Sequence, residues 1–253
     1  VVKNPSLSIV LSIGKLPKYN FLRLFEVCLH LLDRQSLSKR YWELIVSDYG
    51  STSPSYVREL LEKKRQIQSR HIYTSSRLAP VWNNAKCKNI GVVQAKGNFL
   101  LLMNPDTWLS RGALACALEN AKMEREPFLY LGLKYDLSRS FTGRVLSEEL
   151  NVDSVVGKPK IFKKHLKSHP GAKGDFQLML RETYSALDGY DERFWGRGGD
   201  DYDFCDRFRK KFGTRTQWLT GSSFFIVHPH HKKSLVNNSA NLRLLRDKRV
   251  GRV

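Results

Sequence analysis

The sequence predicts an α/β chain, a single domain with a mostly parallel central sheet flanked by helices. Three observations lead there. Short apolar runs of strand length alternate with segments of about ten to fifteen residues at helical spacing. The alternation continues through the first half of the chain with no internal repeat. Hydrophobic residues make up 41% of 253, enough to bury a sizeable core.

The elements follow in order. "LSIVLSI" (7–13) is a strand-type run. "FLRLFEVCLHLLD" (21–33) places Leu24, Phe25, Cys28, Leu31 and Leu32 on one helical face. "WELIVSD" (42–48) is the second strand. Ser53-Pro54 supplies an N-cap and a proline at the first helical position, and Val57, Leu60, Leu61 and Ile67 continue that helix. "HIYT" (71–74) is a third strand, 81–95 a helix, "NFLLLM" (98–103) a buried strand, 110–123 a helix, and "FLYLGL" (128–133) closes the series. The second half differs. Residues 134–174 hold nine Lys/Arg, four acids and few apolar clusters, which predicts a loop-rich segment with short strands and one helix. "FQLMLR" (176–181) and "SFFIV" (223–227) read as strands and 204–212 as a helix, and 230–253 is a basic tail.

Charge narrows the partners. Lys and Arg number 43 against 24 acids, a formal net charge of +19. Such a field favours polyanions: nucleotide phosphates, acidic glycans, anionic lipid heads or nucleic acid. No helix-turn-helix, zinc-finger or RNA-recognition signature is present, which argues against nucleic acid. Cys28, Cys87, Cys116 and Cys205 form no CxxC pair and read as free thiols of a reducing compartment. No apolar run approaches the roughly 18 residues of a membrane span, and no signal peptide is visible. The expectation is a cytoplasmic chain, or an excised domain given its start at Val1, with peripheral contact to a membrane surface as its one route to lipid.

In mostly parallel sheets ligands bind beyond the carboxyl ends of the strands. Asp48 ends the second strand and is followed by "YGSTS"; a carboxylate with small donors there suits the N–H of a base, or caps a turn. Asp106 lies just past the "NFLLLM" strand in "NPDTW", where a hard divalent cation can take a carboxylate together with substrate phosphates, and Asn104 can add a carbonyl oxygen. "HPHH" (228–231) follows the last apolar strand, and His228, which ends it, is the best placed of the three to complete a metal site. "WGRGGDDYDFCDR" (195–207) gathers Asp200, Asp201, Asp203 and Asp206 behind Gly198-Gly199. Acids at a helix N-terminus are stabilised by its dipole, and Asp203 can pair with Arg207. The paired glycines suit a substrate-covering loop, and a carboxylate beside it can act as general base toward a hydroxyl.

Taken together these segments resemble the GT-A fold glycosyltransferases, which have a Rossmann-like sheet, and in particular family 2-like and galactosyltransferase-type enzymes. "LSIVLSI" and "WELIVSDYGSTS" resemble their first two strands. "KCKNIGVVQAKGNFLLLMNPDTWL" (86–109) resembles the stretch from an Arg-Asn-x-Gly element to the DXD motif, with Asn89 and Gly91 matching and Lys86 and Lys88 near the usual arginine. "RETYSALDGYDERFWGRGGDDYDFCDRF" (181–208) resembles the galactosyltransferase-type carboxyl segment. The resemblance implies a nucleotide-sugar-binding half (1–133), an acceptor and catalytic half (134–229) and the tail. It implies a UDP-linked donor held by Asp48, Gly50, Ser51, Asn89, Asn104 and Asp106, and a manganese or magnesium ion on Asp106 and His228. It further implies Asp201 as the base of an inverting transfer to a hydroxyl of a glycan or glycoprotein, an acidic one given the charge. Asp200 would hold the acceptor, with Trp195, Arg197, Gly198 and Gly199 in the loop over it. The chain departs from the family where Asn104 replaces the first DXD aspartate, Asp200 stands for the usual Glu, and Arg197 stands where the loop often carries Trp. The Asn104 change and the charge also fit a non-catalytic glycan- or polyanion-binding module on the same scaffold.

Overall fold

A computed structural model of the chain describes residues 5–14, 21–78, 81–148, 151–157, 166–169, 174–196, 198–213, 216–219, 221, 223–231 and 239–253. The strand β1 (Leu7–Gly14) lies in the interior of a seven-stranded sheet. On one side of it run β2 (Trp42–Tyr49) and β3 (Ser69–Thr74). On the other run β4 (Phe99–Met103), β9 (Phe176–Leu180), β6 (Leu129–Gly132) and β10 (Gln217–Leu219). β1, β2, β3 and β4 are parallel, as are β6 and β10; β9 alone runs antiparallel to its neighbours β4 and β6.

All eight residues of β1 and of β2 are buried, because helices cover both faces. The alternation of side chains then divides the core. Leu7, Ile9, Leu11 and Ile13 join the cluster under α1 (Phe21–Asp33) and α2 (Pro54–Glu62), whereas Val10 joins the opposite cluster with Ala85 of α3 (Asn84–Val93) and Phe204 and Phe208 of α8 (Asp200–Phe212). Pro54 begins α2 as its type predicts, but Ser53 at the N-cap makes no side-chain cap bond, and the helix ends at Glu62, short of Ile67. α3 begins three residues later than the sequence reading, because the Asn83 side chain accepts the Lys86 N–H at 2.9 Å and caps it there. α4 (Ala113–Met123) follows on the same principle of an apolar face.

The second half departs further from expectation. A second sheet of four strands joins β5 (Trp108–Leu109), β11 (Ile226–His228), β7 (Lys134–Leu137) and β8 (Leu166–His169). Two helices, α5 (Arg139–Leu146) and α6 (Val152–Gly157), occupy a stretch expected to hold one, and α7 (Arg181–Ala186) follows β9. The basic tail contains α9 (Ser239–Arg249), with Asn241 and Leu245 buried. Polar runs carry little periodic signal, so these elements depend on partners distant in sequence. Among the described residues no helix is long and apolar enough to cross a membrane. All four cysteines are free.

Candidate active site at the carboxyl edge of the sheet

The parallel register brings the ends of β1, β2 and β4 level. Leu11 faces Met103, so Ser12 stands beside Asn104, and its hydroxyl reaches the Asn104 Oδ1 at 3.4 Å. From there a turn, closed by the Thr107 N–H on the Asn104 carbonyl at 3.1 Å, turns Asp106 inward and leads into β5. β5 pairs with β11 through Trp108 and Val227, and β11 pairs with β7 through His228 and Asp136. The second sheet thereby carries His228 to Asp106, 3.4 Å from Nε2 to Oδ2, with its Nδ1 3.3 Å from Asp136 Oδ1. His231, three residues on, comes to 3.1 Å from the same Asp106 oxygen.

Asp106, His228 and His231 each offer one ligand atom, and these lie within 4.8 Å of one another. Burial opposes the Asp106 charge, but the two imidazoles outweigh it and hold its carboxyl well below the usual range. Burial pulls His228 the other way, and Asp106 with Asp136 overcomes it, pushing that imidazole up to about 9. An imidazolium beside a buried carboxylate is an arrangement a cation can replace. From sequence His228 is the best placed of the three histidines in "HPHH"; His231 and Asp136 join it only in the folded chain. The run "HPHH" did flag His231, but nothing local distinguishes it from the lysines that follow.

The second group of acids begins α8. Gly199, at φ 94°, forms the N-cap in a conformation that a side chain disfavours. Asp200, Asp201 and Asp203 fill the first turn, and Arg209, Lys210 and Lys211 the last, as the helix dipole favours. Asp203 pairs with Arg207 at 2.7 Å. Asp200 is buried and accepts the Asn84 amide at 2.9 Å. Burial, then the charge of Asp201, pushes its carboxyl up to about 6. Asp201 meets Lys88 Nζ at 2.9 Å and Tyr190 Oη at 3.0 Å through Oδ1. The backbone of Gly174 lies against its carboxylate, so closely that a Cβ there would fall 2.0 Å from Oδ2.

A chain of side chains links the two groups. Asn84 receives the Ser12 hydroxyl at 2.9 Å and donates to Asp200, while Asn104 donates to Asp175 at 3.0 Å. Asn104, expected at the donor, therefore spends its amide within the protein. Asn89 does so completely: its amide N–H groups go to the Tyr190 carbonyl and Glu192, and its oxygen accepts from Tyr184 and the Tyr190 N–H. It ties α3 to the segment before α8 and has no bonding capacity left for a ligand. Asp48 is likewise wholly buried; it accepts the Ser51 N–H at 3.0 Å and the Ser51 hydroxyl at 2.6 Å, and His71 Nε2 lies 3.1 Å away. The Gly50 N–H bonds the Thr74 carbonyl at 2.9 Å.

The loop before α8 is held on both sides. The Gly196 N–H donates to the Trp82 carbonyl at 2.7 Å, and Asn241 of α9 donates to the carbonyls of Trp195 and Gly198, both at 2.7 Å. Trp195 itself is 48% exposed at the surface. Arg197 lies outside the described residues.

Comparison with known proteins agrees with this fold. The chain resembles residues 1–349 of S. aureus TarS in complex with UDP-GlcNAc, at TM-score 0.61 and 15% identity over 95% of this chain and 65% of that one. It resembles the mannosyltransferase PcManGT from Pyrobaculum calidifontis in complex with GDP-Man and Mn2+, at TM-score 0.60 and 18% identity over 98% and 62%. It thus spans less than two thirds of either. None of the curated proteins compared with it matches significantly in sequence. The sequence model described as "Glycosyltransferase like family 2" matches residues 26–246. The chain belongs to that family of glycosyltransferases.

Proposed function

We propose that this chain transfers a sugar from a UDP-linked donor to an acceptor hydroxyl, with inversion and with a metal ion. One observation carries the reading. The Asp106–His228–His231 cluster and the Asp200–Asp201 pair stand at one edge of one sheet, linked through Ser12, Asn84 and Asn104. That edge is where an α/β sheet binds ligands.

Asp106, His228 and His231 would hold the ion, and a set with two imidazoles suits manganese better than magnesium, which prefers oxygen. Bound there, the ion supplies Lewis-acid stabilisation of the departing diphosphate. The chain does the rest. Asp201 takes the acceptor proton as the hydroxyl oxygen bonds the anomeric carbon and the bond to the diphosphate breaks on the opposite face. Asp200 orients the acceptor, and Trp195 offers it a ring to stack on. Asp48 is wholly buried beneath Ser51 and His71, so its part is to hold the Ser51 turn against the nucleotide. Asn104 donates an amide N–H to Asp175, and its backbone carbonyl closes the turn that positions Asp106.

The test is transfer from UDP-sugars with manganese, with chelator, and in Asp201→Asn. Chelator is expected to abolish transfer, and Asp201→Asn to lower kcat by about 10²–10⁴ while nucleotide binding by calorimetry persists. Wild-type transfer in that variant, or in chelator, refutes the roles given. Nucleotide binding that ignores manganese would instead favour the non-catalytic module.

A further inference from the structure

Lys88 stands beneath the base with its side chain wholly out of water. A lysine stays buried only where its charge is met. Its Nζ donates to Asp201 Oδ1 at 2.9 Å and to Tyr190 Oη at 3.2 Å, and lies 4.6 Å from the Tyr190 ring centroid. The Tyr190 hydroxyl is also within reach of Gln177 Oε1, so its one proton serves Gln177 or Asp201 in turn. The ion pair is asymmetric: the amine is dry, whereas the Asp201 side chain is 22% exposed.

The groups around it define its charge. α8 presents Asp200 and Asp201; the turn before α8 presents Tyr190, which itself faces Cys205. The segment before β9 presents Asp175, which is itself paired with Lys134. Among the described residues, Lys88 is the cation bonded to the Asp200–Asp201 pair. A buried ion pair can be a mere bolt in the core. This one has a carboxylate open to solvent that shares its site with a second acid, which a bolt does not need.

We propose that Lys88 is a positioning residue for the transfer: it fixes the Asp201 carboxylate from below and supplies the charge that lets two adjacent acids be ionised together. The inference rests on the reading of Asp201 as the base. Neighbouring carboxylates resist joint ionisation, and burial already pushes Asp200 up to about 6 with Lys88 present. Removing the amine's charge makes the pair retain a proton to higher pH. The acid limb of kcat/KM, which follows the base form, then moves upward.

The experiment measures kcat/KM for the acceptor between pH 5 and 9 in wild type, Lys88→Met, Lys88→Gln and Asp201→Asn, with donor affinity by calorimetry. The expected result is an acid limb raised by at least one pH unit in the Lys88 variants. At pH 6 the loss is tenfold or more; at pH 9 activity recovers, and donor affinity stays within twofold. A wild-type limb in a folded Lys88 variant overturns the proposal, and so does a loss equal at all pH values. If neither variant folds at neutral pH, adding Asp201→Asn to Lys88→Met is expected to restore folding, because it removes the charge left unbalanced; failure to restore it also overturns the proposal. Full transfer by Asp201→Asn alone refutes the base assignment instead, so the two failures are distinct.

Discussion

Asp200 and Asp201 are adjacent in sequence, yet the first is buried and the second opens to solvent. That difference sets what each contributes to stability. The Asp200 carboxyl is raised from 3.8 to about 6, so the folded chain binds more protons than the unfolded one between those values. Stability therefore falls as pH rises through that window, by roughly 3 kcal/mol at most. Asp200→Asn removes the burden, and its amide oxygen can still accept from Asn84. The variant is expected to be more stable than wild type by on the order of 2 kcal/mol at pH 7 and equal to it near pH 4. Urea unfolding at the two pH values checks this; equal stability at pH 7 contradicts it. At this scale the sequence showed much. Asp106, His228, Asp200 and Asp201 all stand at the carboxyl edge, as strand ends and a helix start require. His231, Asp136 and Lys88 join them through pairings more than 90 residues apart, which no local pattern encodes, and Tyr190 reaches Asp201 across the turn before α8.

Among elements, α9 carries the largest revision. Read as a basic tail, it is a helix laid along α8. Lys248 bonds Asp191 at 2.7 Å and Asp203 at 2.5 Å, and Arg249 bonds Asp206 at 2.7 Å. Two of these three acids, Asp203 and Asp206, lie in the segment that resembles a plain capped helix start, so part of that acid cluster neutralises α9. Asn241 secures the loop through two carbonyls and is buried while doing so. Asn241→Ala leaves both carbonyls without this donor and is expected to cost about 1–3 kcal/mol. It should also raise the acceptor KM severalfold while the donor affinity holds, because the proposed function puts Trp195 and Gly198 on the acceptor side. Steady-state kinetics with calorimetry tests this, and an unchanged acceptor KM counts against the loop's role. α1, α2 and α8 were legible because their apolar residues recur at helical spacing. α5, α6 and the second sheet were not, since short polar elements gain stability from tertiary contacts more than from pattern.

For the whole molecule, the charge is the property that composition alone defines. A formal +19 attracts anions over distances near the Debye length, about 8 Å at physiological salt. The KM for a UDP-sugar is expected to rise severalfold from 50 to 500 mM salt, with kcat changing much less; salt-independent KM would assign the charge to solubility. Ion pairs such as Lys248–Asp203 are partly screened from that effect, being buried on one side. The sequence by itself determined the central sheet, its covering helices and the strand ends where chemistry gathers. These follow from apolar period and caps, which are local. The tertiary structure decided the rest: β9 running against its neighbours, the second sheet carrying His228 and His231 to Asp106, α9 holding the loop before α8, and Lys88 sealed beneath Asp201. Each depends on groups far apart in the chain being desolvated together, and that energy exists only once the chain has closed on itself.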